Sequence, residues 1–342
     1  MQPSQNQQVV LQKRPQGAVT PACFSLRTQP LPQLHDGDVL VRNIYLSCDP
    51  YMRGQIGGKG YKTLFALDAP IPARVVGQVY ASSNPQFAPG DFVWGFLAWE
   101  EFTLVPGGKG LRTIDTALGP ISYAISVLGM NGLTAYVGIV DIGKPRAGET
   151  VFVSAASGAV GQIAGQIARI HGARVVGSAG SDAKVAHLTD ALGFDAAFNY
   201  KSAESLERAL AETCPDGIDI YFDNVGGATL DAVLTQLNED ARIAVCGQIS
   251  QYDNTGPGYG LQNFPAVLGT RALIKGFSVR NHMDQYDAVV PQLAAWMSQQ
   301  KLRYTQDIVE GLENAPQAFI GMMSGENLGK RLVRISADPS LS

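Results

Sequence analysis

The first third of the chain alternates apolar and polar residues over short stretches separated by proline and glycine. The clearest of these stretches cover residues 38–46, 73–80 and 90–95. Such alternation is typical of half-buried β-strands, and the Pro and Gly residues mark the turns between them. The pattern therefore predicts a compact, β-rich domain in this part of the chain.

From about Tyr123 onwards, short apolar runs alternate with segments of helical pattern. Strands are predicted at residues 151–153, 173–176, 218–222, 242–246 and 273–279, and a helix at residues 289–298. This alternation indicates a parallel sheet covered by helices. A last strand within residues 328–335 is expected to rejoin the first domain. The predicted domains are residues 1–125 with 299–342, and residues 126–298.

The turn after the first of these parallel strands has the pattern A-x-G-x-x-G, with Ala156 where such a fingerprint usually has its first glycine. Glycines let backbone N–H groups approach a pyrophosphate, and the N-terminus of the following helix favours negative charge. A tight turn that binds nothing is the alternative, but the strand before it and the helix after it favour a dinucleotide site. The predicted contacts are Ala156, Ser157, Gly158, Val160 and Gly161.

The end of the second parallel strand carries no acidic residue. NAD sites usually place Asp or Glu there to bind the ribose hydroxyls. Instead, Ser178, Ser181 and Lys184 offer hydroxyls and positive charge, and Tyr200 follows a predicted third strand. These residues favour NADP(H) over NAD(H), although Asp182 lies close by and a lone lysine is more often a solvated surface residue.

Composition and charge narrow the functional classes. The 342 residues carry a net charge of −4 without a basic block, which argues against nucleic acid or an anionic membrane as a main partner. No apolar run has the length of a membrane span, and no signal peptide is recognised, so we expect a cytoplasmic protein with reduced thiols. The four Cys and four His residues are scattered, so we expect no metal site.

Several segments in order along the chain resemble one known family. They cover residues 45–54, 128–136, 221–227, 247–252, 311–316 and 325–330. The chain is similar to the medium-chain dehydrogenases/reductases, and within them to the zinc-free leukotriene/prostaglandin reductase and double-bond reductase branch, which includes bacterial NADPH-dependent curcumin reductases. Zinc-dependent relatives carry a Gly-His-Glu motif, whereas the comparable place here, residues 73–77, has neither His nor Glu.

This resemblance implies an α/β protein with a GroES-like β-rich domain, a Rossmann doubly wound parallel-sheet domain, a cleft between them and a homodimer. It also implies an enzyme that uses NADPH to reduce the C=C bond of small α,β-unsaturated ketones or aldehydes, including curcumin-type enones and 2-alkenals. Hydride would add at the β carbon, and the protein would stabilise the enolate. The alternatives are an NADPH quinone oxidoreductase and a non-enzymatic NADP-binding sensor.

Two tyrosines are the candidate catalytic residues. Tyr252 follows a predicted strand in an I-S-x-Y segment, and the resemblance implies that its hydroxyl orients the substrate carbonyl or stabilises the enolate. A neutral phenol donates hydrogen bonds at pH 7. Tyr51 is expected to face the cleft from the first domain. Either ring could instead be packing, Tyr252 on a loop and Tyr51 as a core anchor.

Further cofactor contacts are expected at Asn224, Gly247, Phe277, Met130 and Thr134, and the resemblance implies another at Asn327. The alternatives are a turn-forming role for Asn224 and core packing for Phe277 and Met130. Lys330 is expected to be a surface residue. Cys48 is expected to be a buried thiol, and Arg53 a structural residue paired with Asp49 or another acid.

Overall fold

A computed structural model describes residues 3–57 and 64–341. The chain divides into two compact units, which are described separately. The first comprises Met1–Ser126, Gln306–Asn327 and Arg331–Ser342, and the second comprises Val127–Thr305 and Leu328–Lys330.

The strands and helices are numbered in chain order. The strands are β1 (Gln5–Leu11), β2 (Phe24–Pro30), β3 (Val39–Ser47), β4 (Pro72–Ser82), β5 (Phe92–Ala98), β6 (Phe102–Val105), β7 (Arg112–Thr113), β8 (Thr150–Val153), β9 (Arg174–Ala179), β10 (Ala196–Asn199), β11 (Ile218–Asp223), β12 (Leu237–Val245), β13 (Leu273–Gly276), β14 (Gln306–Glu310) and β15 (Lys330–Arg334). The α-helices are α1 (Met52–Gly57), α2 (Met130–Tyr136), α3 (Gly161–Ile170), α4 (Asp182–Ala186), α5 (Leu206–Thr213), α6 (Gly227–Leu234), α7 (Ala266–Thr270), α8 (Tyr286–Ser298) and α9 (Ala315–Met323).

Short helical turns of other types connect these elements. Turns of 3₁₀ geometry lie at Pro21–Cys23, Pro106–Gly108, Thr116–Leu118, Ile121–Ile125, Ile249–Gln251, Val279–Gln285, Leu312–Asn314 and Pro339–Leu341, and π-helical turns at Val137–Gly143 and His187–Ala191.

The first unit is built on a sheet with the strand order β14-β15-β3-β4-β5-β7, in which β6 also pairs with β3. Strand β3 is paired on both sides, and it is buried along nearly its whole length, with side chains such as Val41 and Leu46 in the core. Trp99 stacks on Phe24 at 5.9 Å and meets Phe319 edge-on at 6.3 Å in the core. The chain returns to this sheet through β15, which pairs with β3, in line with the prediction that the last strand rejoins the first domain.

The second unit contains a parallel sheet with the order β10-β9-β8-β11-β12-β13. The chain runs from β8 outwards to β10 and then returns to β11 on the other side of β8. This reversal between β8 and β11 is the point where doubly wound sheets bind ligands, at the carboxyl ends of the strands. The predicted fold class is therefore confirmed: a β-rich unit joined to a doubly wound α/β unit.

The structure changes some predicted bounds. Strand β13 ends at Gly276, and the segment from Val279 forms a 3₁₀ turn instead of continuing the strand predicted to residue 279. Helix α8 begins at Tyr286, earlier than predicted, and contains Pro291. The hairpin of β1 and β2 was not predicted.

Candidate cofactor and catalytic site

The turn between β8 and α3 is shaped by the absence of side chains. A Cβ on Gly161 would lie 2.5 Å from the carbonyl oxygen of Ala155 and 2.8 Å from the Cα of Ala156. The backbone could not accept such contacts without shifting, so this position requires glycine. A Cβ on Gly158 would lie 3.1 Å from the same Ala155 oxygen. Helix α3 therefore begins tightly against the turn, as in a phosphate-binding fingerprint.

Ala156 replaces the usual first glycine because its side chain points into space left by another glycine. A Cβ on Gly177 in β9 would lie 2.8 Å from the Ala156 methyl. Ala156 is fully buried, and its N–H donates to the Ser178 carbonyl at 2.9 Å. Gly158, in contrast, is partly exposed. The predicted contact of Ala156 with the cofactor stays a prediction. In the structure, Ala156 packs against β9 and stabilises the turn.

A distant segment completes the turn. The N–H of Gly329 donates to the Ser157 carbonyl at 2.9 Å, and Gly329 forms a parallel bridge with Gly158. A Cβ on Gly329 would lie 2.1 Å from the Thr305 carbonyl oxygen. The buried side chain of Gln162 in α3 exchanges two hydrogen bonds with the Thr305 backbone, at 2.9 and 3.1 Å. Residue-by-residue reading of the sequence missed Gly329 and Gln162, since their partners lie far along the chain.

Lys330 follows this segment and corrects one expectation. Its relative exposure is 1%, so the expectation of a surface lysine is wrong. Its N–H donates to the Thr305 carbonyl at 3.0 Å. Asn327, which is partly exposed, belongs to the first unit and precedes this segment in the chain. Its predicted contact with the cofactor stays a prediction.

The residues predicted to bind a 2′-phosphate gather after β9 and β10. Ser181 is the N-cap of α4, and its Oγ accepts the Lys184 N–H at 3.4 Å. A Cβ on Gly180 would lie 3.1 Å from the Tyr200 hydroxyl and 3.3 Å from the Cε of Lys201. Glycine at 180 therefore leaves open space beside a hydroxyl and a cationic side chain. Lys201 was not among the predicted contacts.

The two remaining residues of this region differ in exposure. Ser178 is buried within β9, with a relative exposure of 3%, and its carbonyl supports the turn below Ala156. Asp182 is exposed, and its carboxylate accepts a hydrogen bond from the Asn199 amide at 2.8 Å. The carboxylate of Asp182, whose charge argued against a nearby phosphate, is therefore hydrogen-bonded to Asn199.

A buried polar cluster links the carboxyl ends of β8 and β11. Oδ1 of Asp223 accepts hydrogen bonds from the Tyr221 hydroxyl (2.7 Å) and from the N–H groups of Val225 (2.9 Å) and Gly226 (2.8 Å). Burial raises the pKa of the Asp223 carboxyl and raises that of the Tyr221 phenol well above its usual range. Oδ2 of Asp223 is buried without a hydrogen-bond partner among the described residues.

Cys246 and Asn224 are neighbours of Asp223 in this cluster. Burial, together with the nearby Asp223, raises the pKa of the Cys246 thiol to about 12, so this thiol stays protonated at neutral pH. Asn224 donates its side-chain amide to the Ser154 carbonyl at 2.8 Å and its N–H to Ser154 Oγ at 3.0 Å. The Asn224 side chain therefore joins the segments that follow β8 and β11. Its predicted contact with the cofactor stays a prediction.

Tyr252 lies beside this cluster, at the end of the 3₁₀ turn that follows β12. Its hydroxyl oxygen accepts the Gln248 N–H at 3.4 Å. A Cβ on Gly247 would lie 3.2 Å from the same hydroxyl. The ring is partly exposed. Gly247 and Tyr252, which were both predicted as site residues, therefore lie close together at the carboxyl edge of the sheet.

Three predicted nicotinamide contacts have structural partners. The Thr134 hydroxyl donates to the Met130 carbonyl at 2.6 Å, within α2, and Met130 is buried. The half-buried Phe277 meets Phe222 edge-on at 6.4 Å, and a Cβ on Gly138 would lie 3.0 Å from its ring. These contacts favour packing for Phe277, and the three cofactor contacts stay predictions.

In the first unit, Tyr51 packs against the core, and the guanidinium of Arg74 lies 5.7 Å from its ring centroid. Arg74 also lies 3.8 Å from the carboxylate of Asp49, which accepts the Ser47 hydroxyl at 2.6 Å. Arg53 is buried and donates to the Gly17 carbonyl, which gives it a structural role. Cys48 is buried, as expected for a thiol that serves packing.

The residues at the carboxyl edge of the second unit fit a dinucleotide. Glycine at 161 lets α3 begin tightly against the turn after β8, and α3 presents its N-terminus to that turn. The described residues contain no group of three or more His, Cys, Asp or Glu that could hold a metal ion. Within the same part of the chain, no helix has the length and apolar character needed to cross a membrane.

Comparisons with known proteins agree with this geometry. The chain matches the family models described as "N-terminal domain of oxidoreductase" over residues 7–114 and "Zinc-binding dehydrogenase" over residues 159–298. It is 46% identical to a 2-alkenal reductase (NADP(+)-dependent) of Nicotiana tabacum, with 88% of each chain covered. It is 38% identical to an NADPH-dependent curcumin reductase of Escherichia coli (strain K12), covering 98% of this chain and 99% of the relative.

A solved structure shows the same fold with the nucleotide. CurA from Vibrio vulnificus in complex with NADPH matches with a TM-score of 0.91 and 39% identity, covering 97% of this chain and 100% of that chain. The chain is therefore an NADP(H)-dependent oxidoreductase. It belongs to the zinc-independent reductase branch of the medium-chain dehydrogenases/reductases.

Proposed function

We propose that this enzyme reduces the C=C bond of α,β-unsaturated ketones and aldehydes, including 2-alkenals and curcumin-type enones. The relatives that reduce 2-alkenals and curcumin support this substrate class. When bound, NADPH supplies the hydride that such a bond accepts at its β carbon, and a proton from water then adds at the α carbon to complete the saturated product. The observation that carries the proposal is the Tyr252 hydroxyl beside Gly247, at the carboxyl edge of the sheet.

In this proposal, Tyr252 donates a hydrogen bond to the substrate carbonyl oxygen, where negative charge develops as the enolate forms. The Gln248 N–H that donates to the tyrosine oxygen makes the phenolic proton a better donor, because hydrogen bonds in series polarise one another. Glycine at 247 keeps the space beside this hydroxyl open. Tyr51, whose ring lies under Arg74, is the proposed substrate contact of the first unit.

A screen of NADPH oxidation across enones, 2-alkenals and quinones, with product identification, tests the reaction. We expect saturated ketones and aldehydes as products. Fast oxidation with quinones and none with trans-2-hexenal or 4-phenyl-3-buten-2-one would contradict the proposal. Tight NADPH binding without a saturated product from any substrate would indicate a sensor.

The Tyr252→Phe variant tests the proposed residue. Removing one hydrogen bond to developing negative charge should lower kcat with trans-2-hexenal about 10-fold to 100-fold. The Kd for NADPH should stay within about 2-fold of the parent, since the hydroxyl is proposed to contact substrate. Equal kinetics in variant and parent would remove Tyr252 from the mechanism.

We also propose that the enzyme forms a homodimer through the edge of the parallel sheet. Strand β13 ends the sheet, and apolar side chains beside it are exposed: Leu268 at 86%, Leu273 at 54% and Phe264 at 53%. Exposed strand edges and apolar patches favour association with another chain. Light scattering should give a dimer mass for the parent and a monomer mass for Leu268→Glu; a monomeric parent would contradict this.

A further inference from the structure

The segment that carries Tyr252 is built on the turn that follows β11. The Asp223 carbonyl accepts the N–H groups of Cys246 (2.8 Å) and Gly247 (3.0 Å). The Asn224 carbonyl accepts the Ile249 N–H at 3.2 Å. These bonds fix the backbone leading to Tyr252 against residues 223–225, so any movement of that turn moves the tyrosine.

Ser250 adds a second link between the same two segments. Its N–H and its hydroxyl both donate to the Val225 carbonyl, at 3.2 and 2.7 Å. Gly226 and Gly227 have left-handed backbones, with φ of 66° and 54°. Side chains on these glycines would collide with Gln248, Ser250 and Gln251, so the turn and the 3₁₀ segment also pack closely.

The left-handed turn is held in place by the carboxylate of Asp223. Oδ1 accepts the Val225 and Gly226 N–H groups within the turn and is itself fixed by the Tyr221 hydroxyl. Among the described residues, no group donates a hydrogen bond to the buried Oδ2 of this carboxylate. Burying a polar atom in this way is costly, so the carboxylate calls for a specific explanation. We explain the buried carboxylate by its role in the turn: its Oδ1 accepts hydrogen bonds from the Val225 and Gly226 N–H groups and from the Tyr221 hydroxyl.

We propose that Asp223 is a positioning residue for the hydroxyl of Tyr252, acting through the 224–226 turn and the 247–251 segment. Asp223 is fully buried, so the carboxylate acts through the chain and needs no contact with substrate. This inference rests on the proposed role of Tyr252 in the reduction of enones and enals.

A double-mutant cycle separates positioning from general stability. In the parent, Asp223→Ala should lower kcat with trans-2-hexenal about 10-fold, because displacing a reacting group by a fraction of an ångström has effects of this size. In the Tyr252→Phe background, the same change should lower kcat less than about 2-fold, since the hydroxyl that it positions is absent. The Kd for NADPH, measured by fluorescence titration, should change less than about 3-fold.

Two further variants keep the test decisive. Asp223→Asn retains one acceptor oxygen and should restore kcat to within about 3-fold of the parent. Ser250→Ala removes an exposed hydroxyl without disturbing the core, so it should fold even if Asp223→Ala does not. It should lower kcat about 2-fold to 5-fold in the parent and have no effect in the Tyr252→Phe background.

The matched control is Asp219→Ala, at the other end of the same strand. The Asp219 carboxylate accepts the Thr150 N–H at 2.8 Å and the Asn238 amide at 2.9 Å. Its loss should lower the thermal midpoint yet leave kcat within about 2-fold of the parent.

The possible failures are distinguishable. Equal fold-losses from Asp223→Ala, or from Ser250→Ala, in both backgrounds would overturn the positioning role while the role of Tyr252 stands. A failure of Asp223→Asn to restore kcat would also count against positioning. A Tyr252→Phe variant as active as the parent would overturn the proposed function and, with it, this inference.

Discussion

Two stretches of the second unit lie at the carboxyl ends of the neighbouring strands β8 and β11, yet they are shaped by different forces. The turn after β8 is shaped by missing side chains: a Cβ on Gly161 would lie 2.5 Å from a backbone oxygen. The turn after β11 is shaped by a buried carboxylate, because Asp223 accepts hydrogen bonds from Val225 and Gly226. The first turn lets a helix begin close to the end of the strand, and the second holds a side chain in position.

This difference predicts which measured quantity each stretch controls. Steric changes after β8 should weaken NADPH binding and leave the chemistry of the bound complex unchanged. Changes near Tyr252 should lower kcat and leave NADPH affinity nearly unchanged. Variants that move both quantities together would show that the two stretches are one functional unit.

The largest effect is expected for Gly161→Ala. The added methyl must displace the backbone of Ala155 or Ala156, which costs about 1–3 kcal/mol of stability. The displaced N–H groups should weaken NADPH binding about 100-fold, because each hydrogen bond to a charged group contributes about 1.5–3 kcal/mol. Fluorescence titration and thermal unfolding measure the two effects. Gly269→Ala, where a Cβ meets nothing within 4 Å, is the matched control. Unchanged NADPH affinity in Gly161→Ala would contradict a steric origin of the site.

The next effect is expected for Lys184→Ala, which tests the charge after β9. Loss of a cation near a 2′-phosphate should weaken NADPH about 10-fold to 30-fold and NADH less than about 2-fold. Calorimetric titration with both nucleotides gives the ratio. Lys301→Ala, an exposed lysine elsewhere in the same unit, should change neither. An equal loss for NADPH and NADH in Lys184→Ala would refute the phosphate contact.

The same contrast between the two turns explains which parts of the site could be predicted from the sequence. The turn after β8 could be predicted because strand, small residues and helix follow one another along the chain. Tyr252 was found through a family segment. The hydrogen bonds between Asn224 and Ser154 could not be foreseen, since Ser154 lies 70 residues earlier in the chain. Lys330 was expected at the surface because a short segment gives no sign that the fold will cover it.

The hairpin of β1 and β2 was missed for a related reason. Its first residues, Gln5 to Gln8, are polar and give no apolar alternation. Asn6 is nevertheless fully buried, because its side chain exchanges hydrogen bonds with the Phe102 backbone at 2.8 and 2.9 Å and donates to Glu100 at 3.0 Å. Burial of a polar residue depends on distant partners, which a hydrophobic pattern does not reveal.

A smaller effect, on turnover alone, is expected for Gly247→Ala. The new methyl would lie 3.2 Å from the Tyr252 hydroxyl, so the ring must move by a few tenths of an ångström. We expect kcat with trans-2-hexenal to fall about 3-fold to 10-fold. Steady-state kinetics and NADPH titration separate the two possible roles of this glycine. A large loss of NADPH affinity would show that Gly247 serves the cofactor, as the sequence suggested, and would weaken the contrast between the two turns.

The smallest effect is expected for Gly180→Ala, which sharpens the steric side of the comparison. Its methyl would lie 3.1 Å from the Tyr200 hydroxyl, but that ring is 45% exposed and can move aside at little cost. We therefore expect NADPH affinity to fall only about 2-fold, with NADH affinity unchanged. Tyr200→Phe should then give the same loss, and adding Gly180→Ala to it should have no further effect, since both changes act on one hydroxyl. Calorimetric titration of the two single variants and the double variant measures this. If the two losses of NADPH affinity were additive, Gly180 would make room for the phosphate itself and would not act through the Tyr200 hydroxyl.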